Sequence, residues 1–245
     1  MRLLPLVLFL GTGAAIAQAP PDPQAGIIAA AYADPTTRYD HGILGDAVEW
    51  GTLVLTVSSC PTCATSQRDG TVRIILPPTR VFEDTAPRLV DLDQDGKPEV
   101  IVVETDLANG ASLAIYGAGG KIAATPYLGQ SHRWLAPIGA VDLDGDGQIE
   151  IAYIDRPHLT RELVILRYVN RALGEIARFP GFTNHRIGDT EISGGIRTCD
   201  QPPELILLTP DWSRLQAANF TGTHLTRRDL GPNTPLTRRA ALICS

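Results

Sequence analysis

Two nine-residue runs constrain this chain more than any other feature: Asp91-Leu92-Asp93-Gln94-Asp95-Gly96-Lys97-Pro98-Glu99 and Asp142-Leu143-Asp144-Gly145-Asp146-Gly147-Gln148-Ile149-Glu150. Each places carboxylates at positions 1, 3, 5 and 9 and a glycine at position 6. Each is followed at once by an apolar β-type run, Val100-Ile101-Val102-Val103 or Ile151-Ala152-Tyr153-Ile154. Alternating acidic side chains in a tight turn point into one hollow, and the glycine permits the bend. Hard oxygen donors in that number suit Ca²⁺. The helix-flanked calcium loop is excluded, because it needs a bidentate Glu at position 12, where this chain has Val102 and Tyr153. Pro98 would also deny an exiting helix its hydrogen bond. The spacing therefore predicts two strand–loop–strand calcium sites. Asp91, Asp93, Asp95, Glu99 and the Lys97 carbonyl would form the first; Asp142, Asp144, Asp146, Glu150 and the Gln148 carbonyl would form the second.

The two runs begin 51 residues apart, and the likeness continues beyond them. Ser112–Tyr116 and Lys121–Ala124 correspond to Glu162–Leu166 and Glu175–Arg178. A third unit follows, with Glu204–Leu208, Leu215–Phe220 and His224–Arg227 as strands. There Ile196 and Thr198 replace the first two ligands and only Asp200 and Glu204 remain, so calcium is expected to be lost. A further unit lies upstream, with strands at Leu53–Val57, Thr71–Leu76 and Arg80–Phe82 by their β-branched content, and Gly42–Asp46 as its innermost strand.

The nine-residue signature resembles the FG-GAP (VCBS-type) repeat of the integrin-α β-propeller and its bacterial relatives, and both loops match it at every ligand position. The resemblance implies an all-β fold, a β-propeller whose blades carry Ca²⁺ in the turn between their first two strands, and the repeat spacing makes it a small one of about four blades, two with calcium loops. The repeats are expected at about 38–86, 87–137, 138–190 and 191–236, within a single domain over 18–245. Closure of the ring would remove exposed strand edges. Two segments compete for the closing strand, Ile27–Tyr32 and Arg239–Cys244.

Met1-Arg2 followed by the apolar run Leu3–Leu10 and small residues reads as a signal peptide over 1–17. The remainder contains no apolar run long enough to span a bilayer, so a secreted or periplasmic protein is expected. Export permits disulfides. Cys60 and Cys63 stand between two strands and suggest a local bridge, leaving Cys199 to pair with Cys244; a redox role for Cys60-Pro61-Thr62-Cys63 would want a helix N-terminus that is not legible here. Loss of Arg2 with the leader takes the formal charge from −6 to −7, and two bound Ca²⁺ would bring it to −3. With no basic stripe interleaved with aromatics, nucleic acid is not an expected partner.

Candidate ligand-binding residues lie just ahead of the inner strands: His41, His132 with Arg133, and His185 with Arg186. Converging on one face, they could take an anion, or a transition metal through the imidazoles; alternatively each satisfies the backbone at a blade corner. Trp50, Trp134 and Trp212 fall near three different blades, as sugar-stacking platforms or, more simply, as core. There is no Gly-x-Ser-x-Gly elbow, no His-Glu-x-x-His helix and no carboxylate pair outside the two loops. The reading is an exported calcium-binding binding, scaffold or adhesion-type module for a protein or carbohydrate ligand. The alternatives are a carbohydrate-active or other exported hydrolase or lyase with a site at the central channel, and a subunit without a ligand of its own.

Overall fold

The apolar runs that follow the acidic loops are buried on both faces, and this sets the architecture. In the computed structural model, which describes residues 26–59, 70–199 and 202–243, the strands form antiparallel units stacked face to face. The first unit comprises β1 (Gly26–Thr36), β2 (Glu49–Ser58) and β3 (Gly70–Ile75), with β2 between the other two. The second comprises β4 (Arg80–Phe82), β5 (Arg88–Val90), β6 (Glu99–Asp106), β7 (Gly110–Gly117) and β8 (Gly120–Ala124). Here β4 and β5 act as one interrupted strand, pairing with opposite ends of β6. The third unit runs β9 (Leu135–Val141), β10 (Glu150–Asp155), β11 (Glu162–Val169) and β12 (Ala172–Pro180). The fourth runs β13 (Gly195–Arg197), β14 (Glu204–Leu208), β15 (Arg214–Phe220) and β16 (Leu225–Pro232), followed by the helix α1 (Pro235–Leu242).

Side chains alternate across each central strand and so serve two cores. Val100 and Val102 of β6 pack with Leu53, Leu55 and Val57 of β2, whereas Ile101 and Val103 pack with Ile151, Tyr153, Val164 and Leu166 of the third unit. Ala152 and Ile154 of β10 face the fourth unit, against Leu205, Leu207 and Phe220. An unbroken apolar strand is the sequence mark of burial on both sides. The repeat extends to irregularities: the pairing of the last two strands slips between Ile115 and Tyr116, between Ile165 and Leu166, and between Leu215 and Gln216.

Three expectations are corrected. The units are not four separate sheets. Trp50 of β2 pairs with Phe82 of β4, which pairs onward to β6, so the first two units share one eight-stranded sheet and the described strands form three sheets, none closed. Gly42–Asp46 is not a strand: Gly42 and Gly45 sit at φ +57° and +89°, left-handed values that bend the chain into turns. A Cβ at Gly45 would lie 2.6 Å from the Gly188 carbonyl oxygen, so this loop abuts the segment before the fourth unit.

Neither candidate closing strand joins the last sheet. Ile27–Tyr32 lies in β1, paired with β2. Arg239–Leu242 is helical, in an α1 started by Thr234, whose hydroxyl accepts from the Thr237 N–H, and by Pro235 in the first turn. Ala241 of α1 packs with Ile206, Leu208, Leu215 and Ala217, covering the apolar face of the fourth sheet that a closing strand would have extended. No helix among the described residues is long and apolar enough to cross a membrane. The leader 1–17, Cys60, Cys63, Asp200 and Cys244 lie outside the described residues, and with them both disulfide pairings; Cys199 is not a free thiol.

Candidate metal centres

The acidic runs form the β5–β6 and β9–β10 turns, and closely similar hydrogen bonds build both. Asp91 Oδ1 and Oδ2 accept from the N–H groups of Asp95 (3.0 Å) and Gly96 (2.9 Å). Asp142 accepts from Gly145 (2.8 Å) and Gly147 (2.9 Å). The N–H of Lys97 donates to Asp95 and that of Gln148 to Asp146, each at 2.8 Å. At position 9, Glu99 accepts the Leu92 N–H at 3.0 Å and Glu150 the Leu143 N–H at 2.9 Å. The position-2 leucines anchor both loops in the core, Leu92 and Leu143 being fully buried. Positions 4 and 6 are left-handed in both: Gln94 (φ +60°) and Gly96 (+85°), Gly145 (+79°) and Gly147 (+86°). The two turns also touch, since the Gln94 side-chain amide donates to the Gly147 carbonyl at 2.5 Å.

Ligand atoms of Asp91, Asp93 and Glu99 lie within 4.8 Å of one another in the first turn, and those of Asp142, Asp144 and Asp146 do so in the second. Oxygens sharing one Ca²⁺ at about 2.3–2.6 Å lie within about 5 Å of each other. The carboxylate donors and their spacing therefore fit the ion. The surroundings of the turns differ. Burial, reinforced by Asp93, Asp95 and Asp91, pushes the Glu99 carboxyl up to about 7 against the opposing Leu92 N–H. Among the described residues, no cation forms an ion pair with the first turn.

The second turn holds a guanidinium. Arg167 of β11 donates through Nε to Glu150 Oε1 at 2.8 Å, and its Nη atoms reach Glu150 (2.5 Å), Asp144 (3.1 Å) and Asp146 (2.9 Å). Burial still raises the Glu150 carboxyl, with the Leu143 N–H and Arg167 opposing it. Arg167 was not among the residues expected from sequence. It follows directly on the Glu162–Leu166 run, and its register opposite Glu150 is what marks it. In the fourth unit, where Ile196 and Thr198 replace the ligands, the remaining Glu204 is held by Arg197 and Arg228.

The structure brings three of the candidate histidines together and adds His158. Tyr39 stacks on His132, His41 lies 5.0 Å from His132 between ring centroids, and His158 lies 5.4 Å from His185. Each ring is engaged: His41 Nδ1 with the buried Glu83 (2.5 Å), His132 Nε2 with Asp40 (2.9 Å), and His185 Nε2 with the Asp189 carbonyl (2.9 Å) and Nδ1 with His158 (3.4 Å). Burial lowers His158 to about 4, with His185, His41 and Arg161 adding to the effect, and burial also lowers His185. His41, His132, Arg133 and His158 line a cavity of about 40 Å³, room for about a water molecule. Arg186 leaves this group and covers the ring of Trp212 at 4.3 Å, and Trp134 is buried with its N–H on the Glu83 carbonyl.

Stacked antiparallel units repeated about every fifty residues, with acidic turns opening two of them, define an all-β repeat protein. More specifically, residues 91–153 match the FG-GAP-like repeat family, a span that runs from the first ligand of one turn through the second turn into β10. The chain thus carries an FG-GAP-type repeat. No curated protein matches it.

Proposed function

We propose that this chain is an exported β-propeller-type module, a single domain over 18–245, in which Ca²⁺ fastens the turns between neighbouring strands and a rigid face engages a protein or carbohydrate ligand. The observation that carries the reading is the repeated turn: two loops, built by closely similar amide-to-carboxylate bonds, gather three acidic side chains each within reach of one ion. The FG-GAP-type repeat over both loops supports the same conclusion. Asp91, Asp93, Asp95 and Glu99, with the Lys97 carbonyl, would hold the first ion, and Asp142, Asp144, Asp146 and Glu150, with the Gln148 carbonyl, the second. The ion supplies positive charge and a cross-link between loop and strand. The chain supplies the hollow: leucine anchors from below, left-handed backbone at positions 4 and 6, and amides that fix each carboxylate rotamer.

Binding and scaffolding are favoured over catalysis because the histidines are each occupied by a neighbour. Terbium, which replaces calcium at oxygen sites, tests the metal reading directly. Wild-type protein should sensitise Tb³⁺ luminescence, Ca²⁺ should quench it by competition, and Asp93→Asn should lose the share of the signal that comes from the first turn. Equal luminescence from wild type and D93N would remove the first turn from the account.

A further inference from the structure

The two turns share a sequence pattern and a hydrogen-bond scheme, so the guanidinium in one of them is informative. Arg167 stands opposite Glu150 in the β10–β11 register. In the β6–β7 register, which pairs Val100 with Tyr116, the residue opposite Glu99 is Gly117, with no side chain to offer. Arg167 contacts three of the four carboxylates of its loop, and Glu150 drops out of the trio that clusters there, although the equivalent Glu99 belongs to the trio of the first turn. A guanidinium is permanently charged and presents a planar fork of donors, so it can neutralise several carboxylates at once. The fourth unit extends the trend. Its turn has exchanged two acidic positions for Ile196 and Thr198, and two arginines, Arg197 and Arg228, hold the remaining Glu204.

We infer that Arg167 is a tethered cation that takes the place of the metal in the second turn. It holds that loop closed without an ion, and Ca²⁺ must displace it to bind. The inference rests on the calcium reading above and makes the two turns unequal: the first depends on the ion, while the second supplies its own charge. The three units then form a series, from a turn with no arginine, to one with arginine and a full carboxylate set, to one with arginines and a depleted set.

Calorimetric titration of Ca²⁺ into the mature, oxidised protein tests this, using wild type, Arg167→Met, Arg167→Lys and Asp93→Asn. Methionine keeps much of the aliphatic stem and removes the charge; lysine keeps a cation. Wild type should bind one ion at least about tenfold more tightly than any second, a ratio of the size expected when a charge-assisted contact must be broken. R167M should bind two ions of similar affinity, R167K should stay closer to wild type, and D93N should lose the tight site. In EGTA, R167M should melt below wild type, and calcium should narrow the gap. Two equivalent sites in wild type, or an R167M isotherm matching wild type, would overturn the role of Arg167 and leave the calcium reading standing. Absence of calcium heat from every variant, together with melting temperatures that calcium leaves unchanged, would overturn both.

Discussion

At the scale of single residues, this protein buries charge and arranges neighbours to tolerate it. Glu49 is 2% exposed, and burial, with Glu83, Asp46 and Asp84 nearby, pushes its carboxyl up to about 9. A carboxyl whose folded pKa is raised favours the folded state below its unfolded value near 4.5, and that contribution is lost as pH rises through the folded value. Glu49→Gln, which cannot ionise, should therefore gain on wild type as pH climbs from about 5 to 9. The gain is read as a rising difference in melting temperature, at roughly 2–4 °C per kcal/mol for a chain of this size. A difference that does not change with pH would contradict the assignment. Residue-scale features are also where sequence reading falls short. The carboxylates of both turns are legible because ligand spacing is local. Arg167, Glu83 and His158 are not, because each acts on a group brought near by pairing or packing rather than by sequence.

At the scale of elements, the strand–turn–strand unit is a packing device. Leu143 is fully buried among Ala152, Ile154, Leu205 and Phe220, and its N–H also holds Glu150. Leu143→Ala should destabilise by about 2–5 kcal/mol through the cavity it leaves, measured by urea unfolding in EGTA so that metal does not contribute. A loss below about 1 kcal/mol would mean that the turn is not seated in the core. The strands themselves were readable. Val100–Val103 and Ile151–Ile154 are apolar on consecutive residues because each has a sheet on either side, and Leu205–Leu208 because it has the third unit on one face and α1 on the other. The misread elements are those whose partner or backbone conformation an apolar run does not specify. Gly42–Asp46 has glycines that serve a turn, and the composition of Ile27–Tyr32 marks a strand without revealing which strand it will join. The helix α1 did carry a local signal, Thr234-Pro235 followed by Thr237, a cap that outweighs the apolar Ala240–Ile243 stretch.

At the scale of the molecule, the consequence is a stack of units whose last apolar face is finished by a helix. Ala241 is 7% exposed and sits on Ile206, Leu208 and Leu215. Ala241→Glu would press a carboxylate onto that face and should cost roughly 2–4 kcal/mol, with a matching fall in melting temperature. An unchanged melting temperature would mean that α1 does not cover the sheet. The repeat period and the acidic turns could be read from sequence at this scale. The sharing of one sheet by the first two units could not, because it depends on a single pairing, Trp50 with Phe82, between segments with no mutual pattern.

The central claim is that metal bound in the turns is part of the folded state. Its most direct test is thermal unfolding of the mature, oxidised wild-type protein in millimolar Ca²⁺ and again in EGTA. Binding to the folded state alone stabilises by about 2.7 kcal/mol at a hundredfold excess over Kd, so the account predicts a melting temperature several degrees higher in calcium, with the increment much reduced in Asp93→Asn. Identical melting curves in calcium and chelator would contradict it.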